Sequence, residues 1–355
     1  MFNMINGIRG WYFDPEVIEE ANKEGRMLTM DYELGAACPL KCIYCYRTDD
    51  SRDYEKGLMD FSTWKRVVDE ARELGCQSMK LIGGGEITLE KHFVEAIEYM
   101  VDNGIIPVLF TAGQILGDEE LCQRKLNKSC RDMAKWMYDL GMSIFLKFDA
   151  IDNDLQDYIA GAKGYAKTRD RALMQLVDIG FNQFNPARLG LEVNVSRHNY
   201  HELMDIYSLR TKYNLYEDVV ISMPCDVYFK NTDYDISMEQ KKELYRNIYR
   251  YNIEHNIPFD TLSPFIGGLE CTQLGNGLYV TNRGDAYHCP GAFGKLGNVK
   301  NTSLKKIWSD FIESRTYHVN YFCPFRERTQ IIPTEIVNEL KNEMTDKYSQ
   351  ICLKC

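Results

Sequence analysis

Thr29-Met30-Asp31-Tyr32-Glu33-Leu34-Gly35-Ala36 leads, one residue later, into Cys38-Pro39-Leu40-Lys41-Cys42-Ile43-Tyr44-Cys45. The first stretch reads as a strand, and the second places three cysteines, spaced x3 then x2, on the loop after it. Strand and helix then alternate. Trp64, Val67, Val68, Ala71 and Leu74 recur at helical spacing after Ser62, read as the N-cap, and Gly75 ends that helix. Met79–Ile82 is a short strand halted by Gly83-Gly84-Gly85. Phe93, Ala96, Ile97, Met100 and Val101 mark the next helix, and Ile105–Phe110 the third strand. Met133, Trp136, Met137 and Leu140 precede a fourth strand, Ser143–Phe148. Leu173, Leu176 and Val177 precede a fifth, Leu189–Val195. Leu203, Ile206 and Tyr207 precede a sixth, Val219–Met223, and Met238–His255 is a long polar-faced helix.

Such alternation makes a parallel sheet with right-handed crossovers. The fold class is α/β. The unit expected over residues 28–257 is a partial (β/α)6 TIM-like barrel with its site at the C-terminal strand ends. Periodicity alone leaves a doubly wound open sheet as the alternative. Residues 1–27 form an N-terminal extension. After Pro258 glycines crowd the chain. Leu278-Tyr279-Val280 and Ala286-Tyr287-His288 flank a turn at Arg283-Gly284, a β-hairpin pattern. Leu304, Ile307, Trp308 and Phe311 predict a short helix, and Pro333 to about Tyr348 another. Residues 258–355 therefore form a small hairpin-plus-helix domain.

The 355 residues are 45% hydrophobic and 26% charged, enough for an enzyme-sized core. Forty-two Lys and Arg against fifty-two Asp and Glu give a net charge of −10, which argues against a nucleic-acid binder. No apolar run is long enough for a membrane helix, and Met1–Pro15 lacks a secretory pattern, so a cytoplasmic protein is expected. In that compartment the twelve cysteines read as ligands or catalytic groups rather than disulfides. Cys38, Cys42 and Cys45 suit three corners of a cubane iron–sulfur cluster, with zinc as the alternative.

Cys-x3-Cys-x-Tyr-Cys after a first strand resembles the signature of the radical S-adenosylmethionine (radical SAM) superfamily. The resemblance implies a [4Fe–4S] cluster on Cys38, Cys42 and Cys45 whose open iron binds S-adenosylmethionine. It also implies reductive cleavage to a 5′-deoxyadenosyl radical that abstracts hydrogen from substrate, with Tyr44 near the adenine. Gly84-Gly85-Glu86 resembles the family's Gly-Gly-Glu motif at the methionyl amino group, with Ile87 where a proline usually follows. Thr111-Ala112-Gly113 stands where relatives often have Thr-Asn-Gly. Lys147 and Asp149 end the fourth strand, and Asn194 and Ser196 the fifth, all placed to reach a ligand at the mouth. An external one-electron reductant such as flavodoxin or ferredoxin is the partner this chemistry requires.

Cys271 and Cys289, with Leu296-Gly297-Asn298-Val299, resemble the opening of SPASM and twitch extensions of that family. Cys352 and Cys355 complete the expected ligand set for one auxiliary [4Fe–4S] cluster, with a structural zinc as the alternative. Only five cysteines follow residue 270, too few for a fully ligated second auxiliary cluster. Cys323 and Cys225 are left as alternative ligands, hydrogen donors or inert thiols. About 37 residues precede Cys38, little room for a leader-peptide domain. The expected substrate is therefore a small polar molecule, a sugar, cyclitol or nucleotide derivative. Its expected reaction is a two-electron oxidation assisted by the auxiliary cluster. The alternatives are a radical epimerase using Cys225 or Cys323, a peptide-modifying maturase, and an electron-transfer or zinc protein without radical chemistry. Glu192, Lys147 and Arg188 are candidate acid–base groups by position, and oligomeric state is not legible.

Overall fold

A computed structural model describes residues 8–11, 13–45, 56–184, 186–221, 234–257, 273–290 and 294–314, with residues 338, 339 and 342. The strands are β1 (Thr29–Tyr32), β2 (Ser78–Leu81), β3 (Ile106–Thr111), β4 (Ser143–Lys147), β5 (Leu189–Val195), β6 (Tyr216–Ile221), β7 (Gly277–Val280), β8 (Asp285–Tyr287) and β9 (Gly297–Asn298). The helices are α1 (Pro15–Glu24), α2 (Phe61–Glu73), α3 (Phe93–Asp102), α4 (Gln114–Gly117), α5 (Glu119–Leu126), α6 (Cys130–Asp139), α7 (Asn153–Ala160), α8 (Tyr165–Ile179), α9 (Leu203–Tyr213), α10 (Met238–Glu254) and α11 (Leu304–Ser314). Met133, Trp136 and Met137 thus lie on α6, which α4 and α5 precede. The predicted N-cap is displaced: Asp60, not Ser62, caps α2, accepting from the Thr63 N–H at 2.8 Å.

The sheet order is β6-β5-β4-β3-β2-β1-β7-β8-β9, and β1 to β6 pair in parallel. This is the predicted barrel, left open. The edge of β1 is taken by β7, paired in parallel with Thr29 opposite Gly277, and β7–β8 is the predicted hairpin. The hairpin therefore extends the barrel's own sheet, a long-range pairing that local pattern does not encode. α11 buries Leu304, Ile307, Trp308 and Phe311, and the Trp308 indole donates to Gly25 O at 2.7 Å. The helix expected from Pro333 lies almost wholly outside the described residues.

Side-chain alternation divides the sheet. Met79, Leu81, Leu109, Ile144 and Leu146 point outward into one core with the helices. Val108, Phe110, Phe145 and Tyr216 point inward, where Ile8 and Trp11 pack against them. Residues 8–11 plug the N-terminal end of this inner face. The Arg9 N–H donates to Ala187 O, its guanidinium to Gly141 O at 2.7 Å, and the Ser143 hydroxyl to Arg9 O at 2.7 Å. The Trp11 ring lies 5.2 Å from Phe110 and 5.0 Å from Phe145, with the Lys80 ammonium 4.4 Å above it. Lys80 is also 3.6 Å from buried Asp31, whose carboxyl is pushed up by burial and partly held down by Lys80. The inner face is thus sealed below. Among the described residues no helix is long and apolar enough to cross a membrane.

Trp11→Ala opens this plug. We expect it to destabilise the cluster-free protein by about 2–3 kcal/mol, below the cost for a fully buried ring because Trp11 is only partly covered. Thermal melting checks this, and an unchanged midpoint contradicts the role of residues 8–11.

Candidate active site

The cysteine loop leaves β1 under restraint from both sides. Glu33, just past the strand, accepts from the Asn282 N–H at 2.9 Å and from the Tyr279 hydroxyl. The Asn282 amide donates to Gly35 O at 2.6 Å, so the hairpin turn grips the start of the loop. The Gly-Gly turn after β2 then presses against it. A Cβ on Gly84 would lie 2.6 Å from Gly35 O, and one on Gly85 2.5 Å from Ala37 O. Only glycine allows this approach, and it lets the Glu86 N–H donate to Ala37 O at 2.9 Å.

Beyond Cys38 the loop crosses the end of α7. Lys41 N–H donates to Ala160 O and Ile43 N–H to Ile159 O, each at 3.0 Å. A helix C-terminus leaves such carbonyls without helical partners, and the loop supplies them. Gly161, at φ 62°, caps α7, and a Cβ there would meet Lys41 O at 2.4 Å. Cys42 is buried with Leu40, Ala112, Ala160 and Tyr165, and Cys38, Tyr44 and Cys45 pack against the same group. Burial pushes the Cys42 thiol up to about 12; Lys147 pulls it down, while Asp149, Cys45 and Cys38 raise it. Loading metal there means displacing that proton, with the Lys147 charge nearby to favour the thiolate.

Across the mouth lies a polar network centred on Asp149, which is fully buried. The Lys147 ammonium is 2.5 Å from the Asp149 carboxylate and 4.1 Å from the Tyr44 ring centre. The Tyr44 hydroxyl donates to Asp149 Oδ2 at 3.1 Å, and the Asn194 N–H to Asp149 Oδ1 at 3.1 Å. Burial lowers the Lys147 pKa, but Asp149, Cys42 and Glu192 together carry it above its ordinary value, so the ammonium stays charged. Asn199 ties this to the fifth strand. Its amide donates to Asp149 O and Asn194 O, each at 2.8 Å, and its Oδ1 accepts from the Ser196 N–H and hydroxyl. Gln156 accepts from the Asp149 and Ala150 N–H groups and from Arg169, which lies 3.7 Å over the Phe148 ring.

The structure thus brings together Cys38, Cys42, Cys45, Tyr44, Lys147, Asn194 and Ser196, with Gly84 and Gly85 against the same loop. Glu86 is bonded between strand ends at the same mouth. Its carboxylate accepts from the Thr111 hydroxyl at 2.6 Å, the Ala112 N–H at 2.7 Å and the Thr88 hydroxyl at 2.5 Å, tying β2 to β3. Arg188 sits before β5, at the opposite end from Asn194, stacked on Tyr138, Phe181 and Phe184. Glu192 and Asn194 are the two half-buried positions of β5, on its inner face. Asn199, Gln156 and Gly161 were not singled out from sequence. A polar residue flanked by His198 and His201 and a helix-ending glycine were the only signals. Of the rear set, half-buried Cys289 follows β8, and His288 packs edge-on to Phe311 at 5.1 Å. Burial lowers the His288 pKa. Cys225, Cys271, Cys323, Cys352 and Cys355 lie outside the described residues.

Three thiols on one pinned loop, in apolar surroundings and beside a lysine, fit an iron–sulfur cluster in the mouth of a parallel barrel. Among the described residues no three His, Cys, Asp or Glu side chains converge on a single ion position. The family model described as the radical SAM superfamily matches residues 32–209, half of the chain, and the SPASM model, an iron–sulfur cluster-binding domain, matches 271–355. The chain belongs to the radical SAM superfamily, whose cofactors are a [4Fe–4S] cluster and S-adenosylmethionine, and it carries a SPASM domain, which binds auxiliary iron–sulfur clusters.

Among curated proteins it is similar to mycofactocin maturase MftC of Mycobacterium ulcerans, 26% identical over 186 residues, 52% of this chain and 45% of that one. It is also similar to the PqqA peptide cyclase of Granulibacter bethesdensis, 29% identical over 150 residues, 42% of this chain and 36% of that one. The chain spans less than half the length of these relatives. Streptococcus suis SuiB bound to S-adenosylmethionine shares the fold at a TM-score of 0.57 and 15% identity, over 84% of this chain and 72% of that one. The structure of anSMEcpe with bound AdoMet does so at 0.56 and 14%, over 89% and 99%.

Gly161 and Gly164 both have positive φ, but only a Cβ at Gly161 meets another atom. Gly161→Ala should cost about 1–3 kcal/mol and lower iron per chain after reconstitution, through backbone strain and the Lys41 clash. Gly164→Ala should keep its iron. Equal iron in the two variants contradicts the pinning of the loop by α7.

Proposed function

We propose that this protein is a peptide-modifying radical SAM enzyme in which Cys38, Cys42 and Cys45 hold the catalytic cluster. The observation carrying the site is the pinned loop, held between Gly84-Gly85 and the end of α7, with all three thiols in one apolar group. When bound, the cluster and S-adenosylmethionine supply a 5′-deoxyadenosyl radical that takes a hydrogen atom from substrate. The protein's own residues do the rest. Gly84 and Gly85 bring backbone close to the loop, where carbonyls can receive the methionyl ammonium. Tyr44, fixed by Lys147 and Asp149, presents an aromatic group beside Cys45. Asn194 and Ser196, whose strand end is held by Asn199, are polar groups that would be available to S-adenosylmethionine at the mouth. With the inner face plugged by Trp11, substrate enters from the C-terminal strand ends, where Glu192 is the partly exposed acid–base candidate.

The peptide reading rests on the relatives. Those matching this region are named for mycofactocin maturation and for cyclising the PqqA peptide. This supports the maturase alternative above the small polar substrate expected from sequence. Epimerisation would need Cys225 or Cys323 as hydrogen donor. For the rear domain, Cys271, Cys289, Cys352 and Cys355 form the proposed set that would hold one auxiliary [4Fe–4S] cluster, which would serve as acceptor for the second electron of a two-electron oxidation. Flavodoxin or ferredoxin is the proposed source of the separate electron that would reduce the loop cluster for cleavage of S-adenosylmethionine.

Anaerobic incubation with S-adenosylmethionine, reductant and a peptide encoded beside the gene should give 5′-deoxyadenosine together with a shifted peptide mass. Cys42→Ala should give neither. A wild type that makes 5′-deoxyadenosine, leaves the peptide mass unchanged and oxidises a cyclitol or sugar instead overturns the peptide reading.

A further inference from the structure

At the base of the barrel, away from the cysteine loop, two arginines meet. Arg188 leads into β5 and Arg9 belongs to the plug, and the Arg9 N–H donates to Ala187 O at 3.0 Å. Both side chains reach the end of α6. Arg9 Nη1 donates to Gly141 O at 2.7 Å and Arg188 Nη1 to Tyr138 O at 3.1 Å. A helix C-terminus favours cations, and this accounts for one nitrogen of each side chain. The two groups converge on Gly141, where a Cβ would lie 2.6 Å from Arg9 Nη1 and 3.8 Å from Arg188 Nη1.

The other edge of Arg188 has no such explanation. The residue is 6% exposed, yet its Nε and Nη2 have no hydrogen-bond partner. The Phe184, Tyr138 and Phe181 rings lie 4.4, 4.5 and 5.1 Å from its guanidinium and give those two nitrogens no acceptor. Leaving charged donors buried and unbonded is costly. Neither arginine makes an ion pair among the described residues. By contrast Arg169, also buried, has the Asp170 carboxylate at 2.8 Å. The acid that acts on Arg188 is Asp139, which is exposed and held at 2.8 Å by Lys135, one helical turn back. Burial works most strongly against the Arg188 charge; Tyr138 and Asp139 favour it, Arg9 opposes it, and its pKa stays below the ordinary value. A guanidinium remains protonated all the same.

We propose that Arg188 and Arg9 form a binding site for a small oxyanion, a phosphate or a carboxylate, at the N-terminal end of the barrel. Nε and Nη2 of one guanidinium make a planar fork that matches two oxygens of such a group, whereas a spherical anion such as chloride cannot fill both positions. Exposed Arg9 gives the site its open side, and Phe184, 38% exposed, is its outer wall. Because Nε and Nη2 are shielded from water, the Phe184 ring turns aside to admit the anion. Once bound, the anion links the plug to the entry of β5 and strengthens the closure below the inner face. The site is independent of the substrate reading.

The test uses the reconstituted holoenzyme and two probes, inorganic phosphate and acetate. Each is titrated by calorimetry at constant ionic strength set with sodium chloride. One saturable site is expected, and the tighter probe tells a phosphate site from a carboxylate site. Arg9→Gln, a change at an exposed side chain, should weaken binding about tenfold or more. Arg188→Lys, which keeps the charge and loses the fork, should do the same. Lys167→Gln removes an exposed positive charge from the first turn of α8, outside the site, and should bind as wild type does. Hydrogen exchange gives a second readout: the tighter probe should slow the Arg9 amide several-fold in wild type and not in Arg9→Gln. Should Arg188→Lys fail to fold, the Arg9→Gln titration and the exchange readout still decide. No saturable binding of either probe to wild type overturns the proposal. So does unchanged affinity in Arg9→Gln, or an equal loss in Lys167→Gln.

Discussion

A short loop held from two directions sets everything else at this site. On one side the Glu86 N–H reaches Ala37 O across two glycines that leave no room for side chains. On the other, the N–H groups of Lys41 and Ile43 complete the carbonyls at the end of α7. A loop with free backbone would pay conformational entropy each time it gathered three thiols. Here the cysteines are presented by backbone bonds that exist before any ligand arrives. The same restraints bring Tyr44 to Lys147 and Asp149, which hold its ring from the fourth strand.

Charge is arranged with similar economy. Asp149 is fully buried and receives the Lys147 ammonium, the Tyr44 hydroxyl and the Asn194 N–H. A carboxylate removed from water is tolerated only with such partners. It joins the fourth strand, the fifth strand and the cysteine loop in one contact, with Asn199 locking the two strand ends behind it. The hairpin reaches the site through Glu33, which accepts from its turn while standing next to β1. The first strand of the rear region is therefore continuous with the barrel at its base and linked to the cysteine loop at its top.

Much of this was legible in sequence. Strand–helix alternation marks all six barrel strands, and Leu189–Val195 coincides with β5. Glycines at the ends of helices mark boundaries because only they take the left-handed cap readily. The cysteine spacing and the double glycine point to the loop. Other features depend on contacts between distant residues. Trp11 has no periodic neighbours, yet it plugs the inner face. β7 pairs with β1 across nearly the whole chain. The first strand is shorter than its pattern suggests: past Tyr32, the Glu33 side chain and the Gly35 carbonyl are bonded to the hairpin turn. Glu86 is the instructive case: its motif suggests a ligand contact, and its carboxylate also accepts from Thr88, Thr111 and Ala112, which ties together the strand ends that hold the loop.

The measurement that bears most directly on this account is iron and acid-labile sulfide per chain after anaerobic reconstitution, in wild type and in Cys38→Ala/Cys42→Ala/Cys45→Ala. About eight irons in the wild type, falling to about four in the variant, are predicted for one cubane cluster on the loop and one in the rear domain. A variant that keeps all of the wild-type iron would contradict the assignment of the three thiols, and with it the purpose of the pinned loop.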